Sequence, residues 1–207
     1  MKLNLSKISN LYDENVDKYG LDVKSVGWGT KDKQYLRFRK LTDIIENNQK
    51  NLSINELGCG YGELVVYLMS RSFDLRKYYG YDISKKMLDL AKKHLMENIK
   101  VDKTFVCSSQ ISTIADFTIA SGIFNVKFNE EKDRWDQYIL ETLNHMFKYS
   151  KKGIAFNFLT KYVDWEEDDL YYANPSYYFE FCKNKLSKKV SLVHDYDLYE
   201  FTIHVLK

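Results

Sequence analysis

Three glycines stand at alternate positions, Gly58, Gly60 and Gly62, between an apolar run at 52–57 and an amphipathic segment at 62–70. The run has the length and composition of a buried strand, and the segment has the apolar spacing of a helix. Glycine adopts backbone conformations that side chains exclude, and it lets the backbone approach a ligand closely. We therefore predict a strand, a tight turn and a helix whose N-terminal amides face a ligand.

Strand-like and helix-like segments continue to alternate along the chain. Strands are predicted at 77–81, 104–107, 116–121 and 154–159. Helices are predicted at 134–147 and at 84–95, the latter with Ser84 as its N-cap and with Met87, Leu88, Ala91 and Leu95 as its buried stripe. This order predicts a mostly parallel sheet with helices on both faces. Two last strands, 190–194 and 199–206, are joined by a short link and predict an antiparallel hairpin. We expect an α/β fold of the doubly wound, Rossmann-like kind, with seven strands.

The rest of the chain bounds the domain and its environment. No repeat or linker divides the 207 residues, so we expect one domain with a polar N-terminal arm, 1–30, and an acidic, aromatic insertion, 160–174. The net charge is only +2, which disfavours a dedicated nucleic-acid surface. No apolar run reaches the length of a membrane span, and the three cysteines form no C-x-x-C pair. We expect a cytoplasmic monomer or homodimer without a metal site or a membrane contact.

Two acidic residues accompany the glycines. Asp82 ends the predicted second strand, and the carboxyl ends of neighbouring parallel strands meet where α/β sheets bind ligands. A carboxylate there suits the two hydroxyls of an adenosine ribose. Glu56 precedes the first glycine, and the G-x-G-x-G spacing differs from the dinucleotide pattern G-x-G-x-x-G. Since a carboxylate repels a pyrophosphate but attracts an ammonium group, the pattern favours S-adenosylmethionine, which has an amino group and no phosphate.

The segment 56–62, E-L-G-C-G-Y-G, resembles motif I of the class I S-adenosylmethionine-dependent methyltransferases, and 79–84, Y-G-Y-D-I-S, resembles their acidic second-strand motif. The resemblance covers residues 30–207, and the family's sheet has seven strands with a closing antiparallel hairpin. Three further stretches are similar to a bacterial subgroup without an assigned reaction. They are G-W-G-T-K at 27–31, S-G-I-F-N at 121–125 and H-D-Y-D-L-Y-E-F-T at 194–202.

The resemblance implies a set of cofactor-binding residues. The loop would surround the cofactor, Glu56 would lie near its amino group, Asp82 would bind the ribose and Ile83 would pack on the adenine. Many relatives have an acid after the third strand that binds the adenine amino group, where this chain has Ser109 and Gln110. One of these two, or a backbone group, would replace it. The implied loop and strand-end residues are Gly58, Cys59, Gly60, Gly62, Ser121 and Gly122.

The positions nearest the reaction are open to two interpretations each. Asn125 follows the fourth strand and is expected to hydrogen-bond the methyl acceptor, unless the segment is an ordinary loop. Trp28, between two glycines, is either a lid whose ring covers the sulfonium or an aromatic anchor for the arm. Arg37 either pairs with the cofactor carboxylate or belongs to a solvated basic helix start. The insertion 160–174 forms either the rim of the acceptor pocket or a solvated loop.

His194 is the candidate general base for a hydroxyl acceptor, because Asp195 beside it is able to orient the imidazole. Adjacent strand residues face opposite sides, so a direct dyad is not implied. Little chain remains outside the core to hold a macromolecule, so we expect a methyltransferase with a small-molecule acceptor. Oxygen is slightly favoured over nitrogen on the His194 argument alone. The alternatives are a cofactor-binding module without activity and a protein or RNA methyltransferase.

Overall fold

The structure, a computed structural model, describes residues 3–46, 49–96 and 99–207. Within these residues the strands are β1 (Leu52–Leu57), β2 (Leu75–Asp82), β3 (Asp102–Cys107), β4 (Ala115–Ala120), β5 (Ser150–Thr160), β6 (Tyr172–Ala173), β7 (Lys189–Val193) and β8 (Glu200–Leu206). The α-helices are α1 (Ser6–Tyr19), α2 (Lys31–Thr42), α3 (Glu63–Ser70), α4 (Lys85–Leu95), α5 (Lys132–Lys148) and α6 (Pro175–Phe181). A 3₁₀ turn covers Val23–Val26, and a π-helical turn, Cys182–Leu186, continues α6. None of the described helices combines the length and the apolar character that a membrane crossing needs.

The strands form one sheet in the order β3-β2-β1-β4-β5-β8-β7. The first five run parallel, and β8 pairs antiparallel with both β5 and β7, which confirms the predicted α/β class and the C-terminal hairpin. The prediction of seven strands holds for this path, but the two-residue strand β6 also pairs with β5. Because β6 lies in the predicted insertion and has no apolar run, no sequence pattern indicated it. The strand order reverses between β1 and β4, the position at which open α/β sheets bind ligands.

Helices cover both faces of the sheet. On one face α5 and α6 pack against the last strands, with Trp135, Leu143 and Phe158 in the same buried cluster. On the other face the second cluster joins α2, α3 and α4 to the strands. All six residues of β1 are buried, as expected for a parallel strand that is covered on both sides.

The helix α4 forms as its sequence predicts. Ser84 is the N-cap, and its hydroxyl accepts the Met87 N–H at 3.0 Å. The buried side chains of the helix are those of the predicted stripe, Met87, Leu88, Ala91 and Leu95.

The N-terminal arm is more regular than its sequence indicates. It contains the 14-residue helix α1, and Ile8 is the one fully buried residue that this helix contributes. A stripe this thin gives little periodic signal, so the sequence predicts only a polar arm at 1–30. Polar contacts attach the helix to the start of α4: the Ser9 hydroxyl donates to the Ile83 carbonyl at 3.1 Å, and the Ser84 hydroxyl donates to Asp13 at 2.5 Å.

The predicted insertion packs on the loop that follows β4. The Tyr171 N–H donates to the Asn125 carbonyl at 2.8 Å, and the Lys127 N–H donates to the Asp169 carbonyl at 2.9 Å. Tyr171 is 3% exposed, whereas Trp165 is 72% exposed. The second half of the insertion therefore supports the core, and the first half lies at the surface.

Candidate active site

The glycine turn after β1 is tied to the neighbouring strand β2. The N–H groups of Gly58 and Cys59 both donate to the Tyr81 carbonyl, at 2.7 and 3.0 Å. Gly60 has a φ of +51°, and a Cβ placed there would lie 2.8 Å from Val26 Cγ1. Both the left-handed backbone and the close approach of Val26 therefore require glycine at this position.

Asp82, at the end of β2, holds the turn in place. Its Oδ2 accepts the Gly60 N–H at 2.8 Å, and its Oδ1 accepts the Ser84 N–H at 2.9 Å. The side chain is 8% exposed and lines the cavity above the turn. Burial raises the pKa of Asp82, and hydrogen bonds from the backbone N–H groups of Ser84, Gly60 and Ile83 oppose this rise. Each carboxylate oxygen has a further lone pair, so the group remains able to accept the two hydroxyls of a ribose.

Glu56 brings a second buried carboxyl group to the same cavity. It is 2% exposed, and the Tyr78 hydroxyl donates to its Oε2. Burial raises the pKa of Glu56 well above its ordinary value, and the nearby charges of Asp82 and Glu63 raise it further, while the Tyr78 bond acts in the opposite direction. An ammonium group entering the cavity would stabilise the ionised form.

The residues that follow β4 also line the cavity. The Ser121 hydroxyl is buried and has no hydrogen-bond partner among the described residues, although it lines a cavity. Gly122 has a φ of +70°, and a Cβ there would lie 2.5 Å from the Trp28 ring. The missing side chain lets the indole approach the strand end. The unpartnered hydroxyl, the glycine turn and the two carboxyls fit the amino acid and ribose parts of S-adenosylmethionine.

Most of the predicted cofactor residues line this first cavity. They are Trp28, Glu56, Gly58, Cys59, Gly60, Asp82, Ile83, Ser109, Ser121 and Gly122.

Three predicted cofactor residues lie elsewhere. Gly62 faces α4, where a Cβ would lie 2.6 Å from Leu95, so its absent side chain serves helix packing. Gln110 is exposed and does not line the first cavity. Arg37 lines a second cavity, described below, and has a protein carboxylate as its partner.

Sequence reasoning missed the contribution of α1 to the first cavity. Leu5, Ile8 and Tyr12 line it from the arm, together with residues such as Tyr138 of α5. Burial, together with the charge of Asp82, raises the pKa of Tyr12 to about 12. The apolar spacing of these arm residues was the available signal, but it was too sparse to indicate a helix that covers a site.

A second cavity lies beside the first and shares part of its wall. Tyr12, Val26, Trp28, Gly122 and Val126 line both cavities. The second cavity is also lined by the start of α2, by segment 196–200 and by the apolar side chains of Leu159 and Leu170. Leu170 belongs to the predicted insertion and is its one residue at this cavity among the described residues.

A buried ion pair forms one wall of the second cavity. Arg37 Nε donates to both oxygens of Glu200, at 2.7 and 2.9 Å, and Nη2 donates to Oε1 at 2.5 Å. Asn157 Nδ2 donates to the same carboxylate at 2.6 Å, and Asn157 Oδ1 accepts the Gly122 N–H at 2.8 Å. The Arg37 guanidinium also stacks on Trp28, 3.8 Å from the ring centroid. A buried guanidinium needs an anion, and here Glu200 supplies it instead of the expected cofactor carboxylate.

Asn125 is placed where a bound acceptor is within reach. Its Oδ1 accepts the Leu159 N–H at 3.2 Å, and its Nδ2 lies 3.5 Å from the point where a Gly122 Cβ would be. The side chain is 6% exposed and lines the second cavity. The amide NH₂ group is therefore the part of Asn125 that faces the wall shared by the two cavities.

His194 does not reach either cavity, so its predicted role as general base is not supported. The side chain is exposed, and its ring contacts Tyr162 and Phe201, with centroids 6.0 and 5.9 Å apart. Asp195 is paired with Lys40 at 2.8 Å and is not bonded to the imidazole. The argument that favoured an oxygen acceptor through this base therefore fails.

Residues 54–153, which run from β1 to β5, match the family described as "Methyltransferase domain". A Mycobacterium tuberculosis protein named "Putative methyltransferase Rv1506c" is 44% identical over 165 residues, which cover 79% of this chain and 98% of that protein. The chain belongs to the class I S-adenosylmethionine-dependent methyltransferases. The predicted family, enzyme class and methyl donor are thereby confirmed.

Solved methyltransferase structures share the fold of this methyltransferase at low sequence identity. Magnesium protoporphyrin IX methyltransferase from Synechocystis PCC 6803, with bound S-adenosylhomocysteine (SAH), superposes with a TM-score of 0.68 at 14% identity. The match covers 99% of this chain and 100% of that one. A small RNA methyltransferase superposes with a TM-score of 0.62 at 17% identity and covers 85% of this chain and 25% of that one. The same fold thus occurs in methyltransferases whose names describe very different acceptors.

Proposed function

We propose that this methyltransferase transfers the methyl group of S-adenosylmethionine to a small molecule that binds in the second cavity. The observation that carries the proposal is the wall that the two cavities share. Trp28 of the arm and Gly122, which follows β4, line both cavities. The first cavity holds the carboxyls suited to the amino and ribose groups. The second cavity is lined by the same indole ring.

The residues of the protein bind the methyl donor and align it with the acceptor. Bound S-adenosylmethionine supplies an activated methyl group, and its transfer is an in-line displacement that needs little covalent help from the protein. Asp82 and Glu56 hold the donor at two points, and Ser121 offers a hydroxyl at the end of β4. The helix α1 and Trp28 cover the cavity and exclude water. Asn125 is proposed to hydrogen-bond the acceptor.

The shape of the second cavity supports a small acceptor. It is lined by α1, by the start of α2, by the loop after β4 and by segment 196–200, so its residues come from several parts of the chain. A macromolecular acceptor needs an open surface, and for a nucleic acid a basic one, whereas the 31 basic and 29 acidic residues of this chain nearly balance. Among the described residues of the insertion, Leu170 lines the second cavity. We therefore propose a role in the rim of the acceptor pocket for this residue and not for the rest of the insertion.

The proposal is tested by incubating the enzyme with S-adenosylmethionine that has a deuterated methyl group. Small-molecule extract, protein and RNA from the same cells are supplied in separate reactions, and mass spectrometry finds the labelled product. We expect label in small molecules. Label in protein or RNA alone would contradict the proposal, and turnover in none of the three fractions would favour a cofactor-binding module without activity.

Two variants of the insertion provide a matched control. Leu170→Trp fills the second cavity without touching the first, so labelling should fall while affinity for SAH is kept. Trp165→Ala changes an exposed side chain of the same segment and should leave both unchanged. Equal labelling by the two variants would show that the acceptor does not enter the second cavity.

A further inference from the structure

One nitrogen of the buried ion pair is left without a partner. Arg37 Nη1 is buried and makes no hydrogen bond within the described residues, while Nε and Nη2 are both bonded to Glu200. Arg37 is 7% exposed and lines the second cavity. Nη1 itself is covered. Because a buried N–H donor without an acceptor is costly, a ligand that uncovers Nη1 from the cavity and supplies the acceptor would be stabilised there.

Resting on the proposed function, we infer that the methyl acceptor is an oxyanion, either a carboxylate or an ionised phenol or enol, and that Arg37 Nη1 binds it. Arg37 stacks on Trp28, the ring that both cavities share. An oxygen held at Nη1 therefore lies beside the wall at which the methyl donor ends. A charge-assisted bond from a guanidinium to an oxyanion is stronger than one to a neutral oxygen.

Asn125 supplies a second donor at the same wall. Because its Oδ1 accepts the Leu159 N–H, its NH₂ group is turned toward Gly122. Asn125 and Arg37 thus both line the second cavity, and both side chains carry N–H donors. Two donors suit an oxygen that carries several lone pairs, and they do not suit an ammonium group or an amine N–H.

The described side chains that line the second cavity also explain why the acceptor arrives ionised. Glu200 is engaged by Arg37 and Asn157, and burial raises the pKa of the Tyr196 phenol, which keeps it protonated. Asp197 lies exposed at the rim. His194 lines neither cavity. Without a placed base, a hydroxyl acceptor would keep its proton, whereas an oxyanion already carries the lone pair that attacks the methyl group.

The net charge of the cavity wall does not by itself select an anion. Lys33 and Arg37 are balanced by Asp197 and Glu200. Selection therefore depends on the donated N–H groups near Trp28.

In the transfer, an oxyanion lone pair forms the new C–O bond while the C–S bond breaks and its electron pair stays on sulfur. The positive sulfonium and the negative oxygen both become neutral, and no proton has to be removed.

The inference is tested by binding, which does not depend on turnover. Sets of matched compounds, for example benzoate, benzamide and benzylamine together with phenol and anisole derivatives, are titrated by ligand-observed NMR into enzyme saturated with SAH. We expect the carboxylates and acidic phenols to bind about tenfold more tightly than their neutral and cationic counterparts. Binding of no anion, equal binding of all forms, or a preference for amines would overturn the inference.

Arg37→Lys is the decisive variant, because lysine keeps the ion pair with Glu200 but has no second nitrogen for the acceptor. It should lose the preference for anions and keep its affinity for SAH. Lys40→Gln removes a cation from the same helix that pairs with Asp195 outside the cavity, and it should change neither. If Arg37→Lys does not fold, the neutral pair Arg37→Gln with Glu200→Gln replaces it. An anion preference that survives in the Arg37 variants would overturn the inference.

The proposed function and this inference fail in different ways. Anion binding that depends on Arg37, without methyl transfer to any small molecule, would refute the proposed function and leave the anion site. Methyl transfer to a small-molecule amine would refute the anion site and leave the proposed function.

Discussion

The guanidinium carbon of Arg37 lies 3.8 Å from the centroid of the Trp28 ring, and this stack holds an indole that lines both cavities. The stack is itself supported, because Glu200 fixes Arg37 and Asn157 connects Glu200 to the backbone of Gly122. Gly122 in turn has no side chain and allows the ring to lie against it. Trp28 is therefore fixed from two sides and is more than an anchor for the arm.

Trp28→Ala should weaken S-adenosylmethionine binding more than SAH binding. We expect an additional loss of about 1–2 kcal/mol for the sulfonium ligand, the scale of a desolvated cation–π contact. Calorimetric titration of both ligands into the wild type and the variant measures it. Equal losses for the two ligands would assign Trp28 a structural role only.

Removing one partner of the Arg37–Glu200 pair should be strongly destabilising. Arg37→Met leaves Glu200 as an uncompensated buried charge, and the free energy of unfolding should fall by about 3–5 kcal/mol. Arg37→Met combined with Glu200→Met should lose much less, which chemical denaturation will show. A double variant as unstable as the single one would mean that packing, rather than charge, is the source of the effect.

Asp82→Ala should weaken SAH binding by about 1.5–3 kcal/mol, since a charge-assisted bond to the ribose is lost. Asp82→Asn should also bind SAH weakly. The two carboxylate oxygens of Asp82 accept the N–H groups of Gly60 and Ser84, whereas an asparagine amide has only one oxygen that accepts. Asp102→Ala, at the exposed start of β3, is the control and should bind as the wild type does. Unchanged affinity in folded Asp82 variants would exclude it as the ribose ligand.

Glu56→Gln should make the protein more stable at neutral pH and a weaker binder of SAH. Because the folded-state pKa of Glu56 is raised, its contribution to stability is full below the unfolded pKa of about 4.3 and is lost as the pH rises through the folded pKa. Glutamine removes this loss, so the difference in unfolding free energy between variant and wild type should grow with pH over that window. It also removes the charge that attracts the ammonium group. A difference in unfolding free energy between variant and wild type that stays constant with pH would contradict this account of Glu56.

Local signals were enough to predict the core of the fold. The strand β1, the glycine turn, the cap at Ser84 and the C-terminal hairpin each follow from neighbouring residues, and all agree with the structure. The same is true of Asp82, whose place at a strand end defines its surroundings. Gly62 does not line the first cavity, because its Cβ position faces α4, and sequence spacing does not reveal which side of a turn faces a neighbouring helix.

Contacts between distant segments were beyond sequence reasoning. Arg37 and Glu200 are separated by 163 residues, and no pattern within either segment indicates the other. The position of Arg37 beside Phe38 and four residues before Leu41 did place it on the buried face of α2, and this signal was available. The three subgroup-like stretches converge in the structure, since Trp28, Gly122 and Glu200 all line the second cavity.

The arrangement of the two cavities is tested most directly by a crystal structure of the enzyme with SAH. We predict that the ribose hydroxyls bind Asp82, that the amino group lies near Glu56 and that the sulfur faces Trp28 and Gly122, with the second cavity open beyond them. A sulfur atom directed away from Trp28, or SAH bound within the second cavity, would contradict the account.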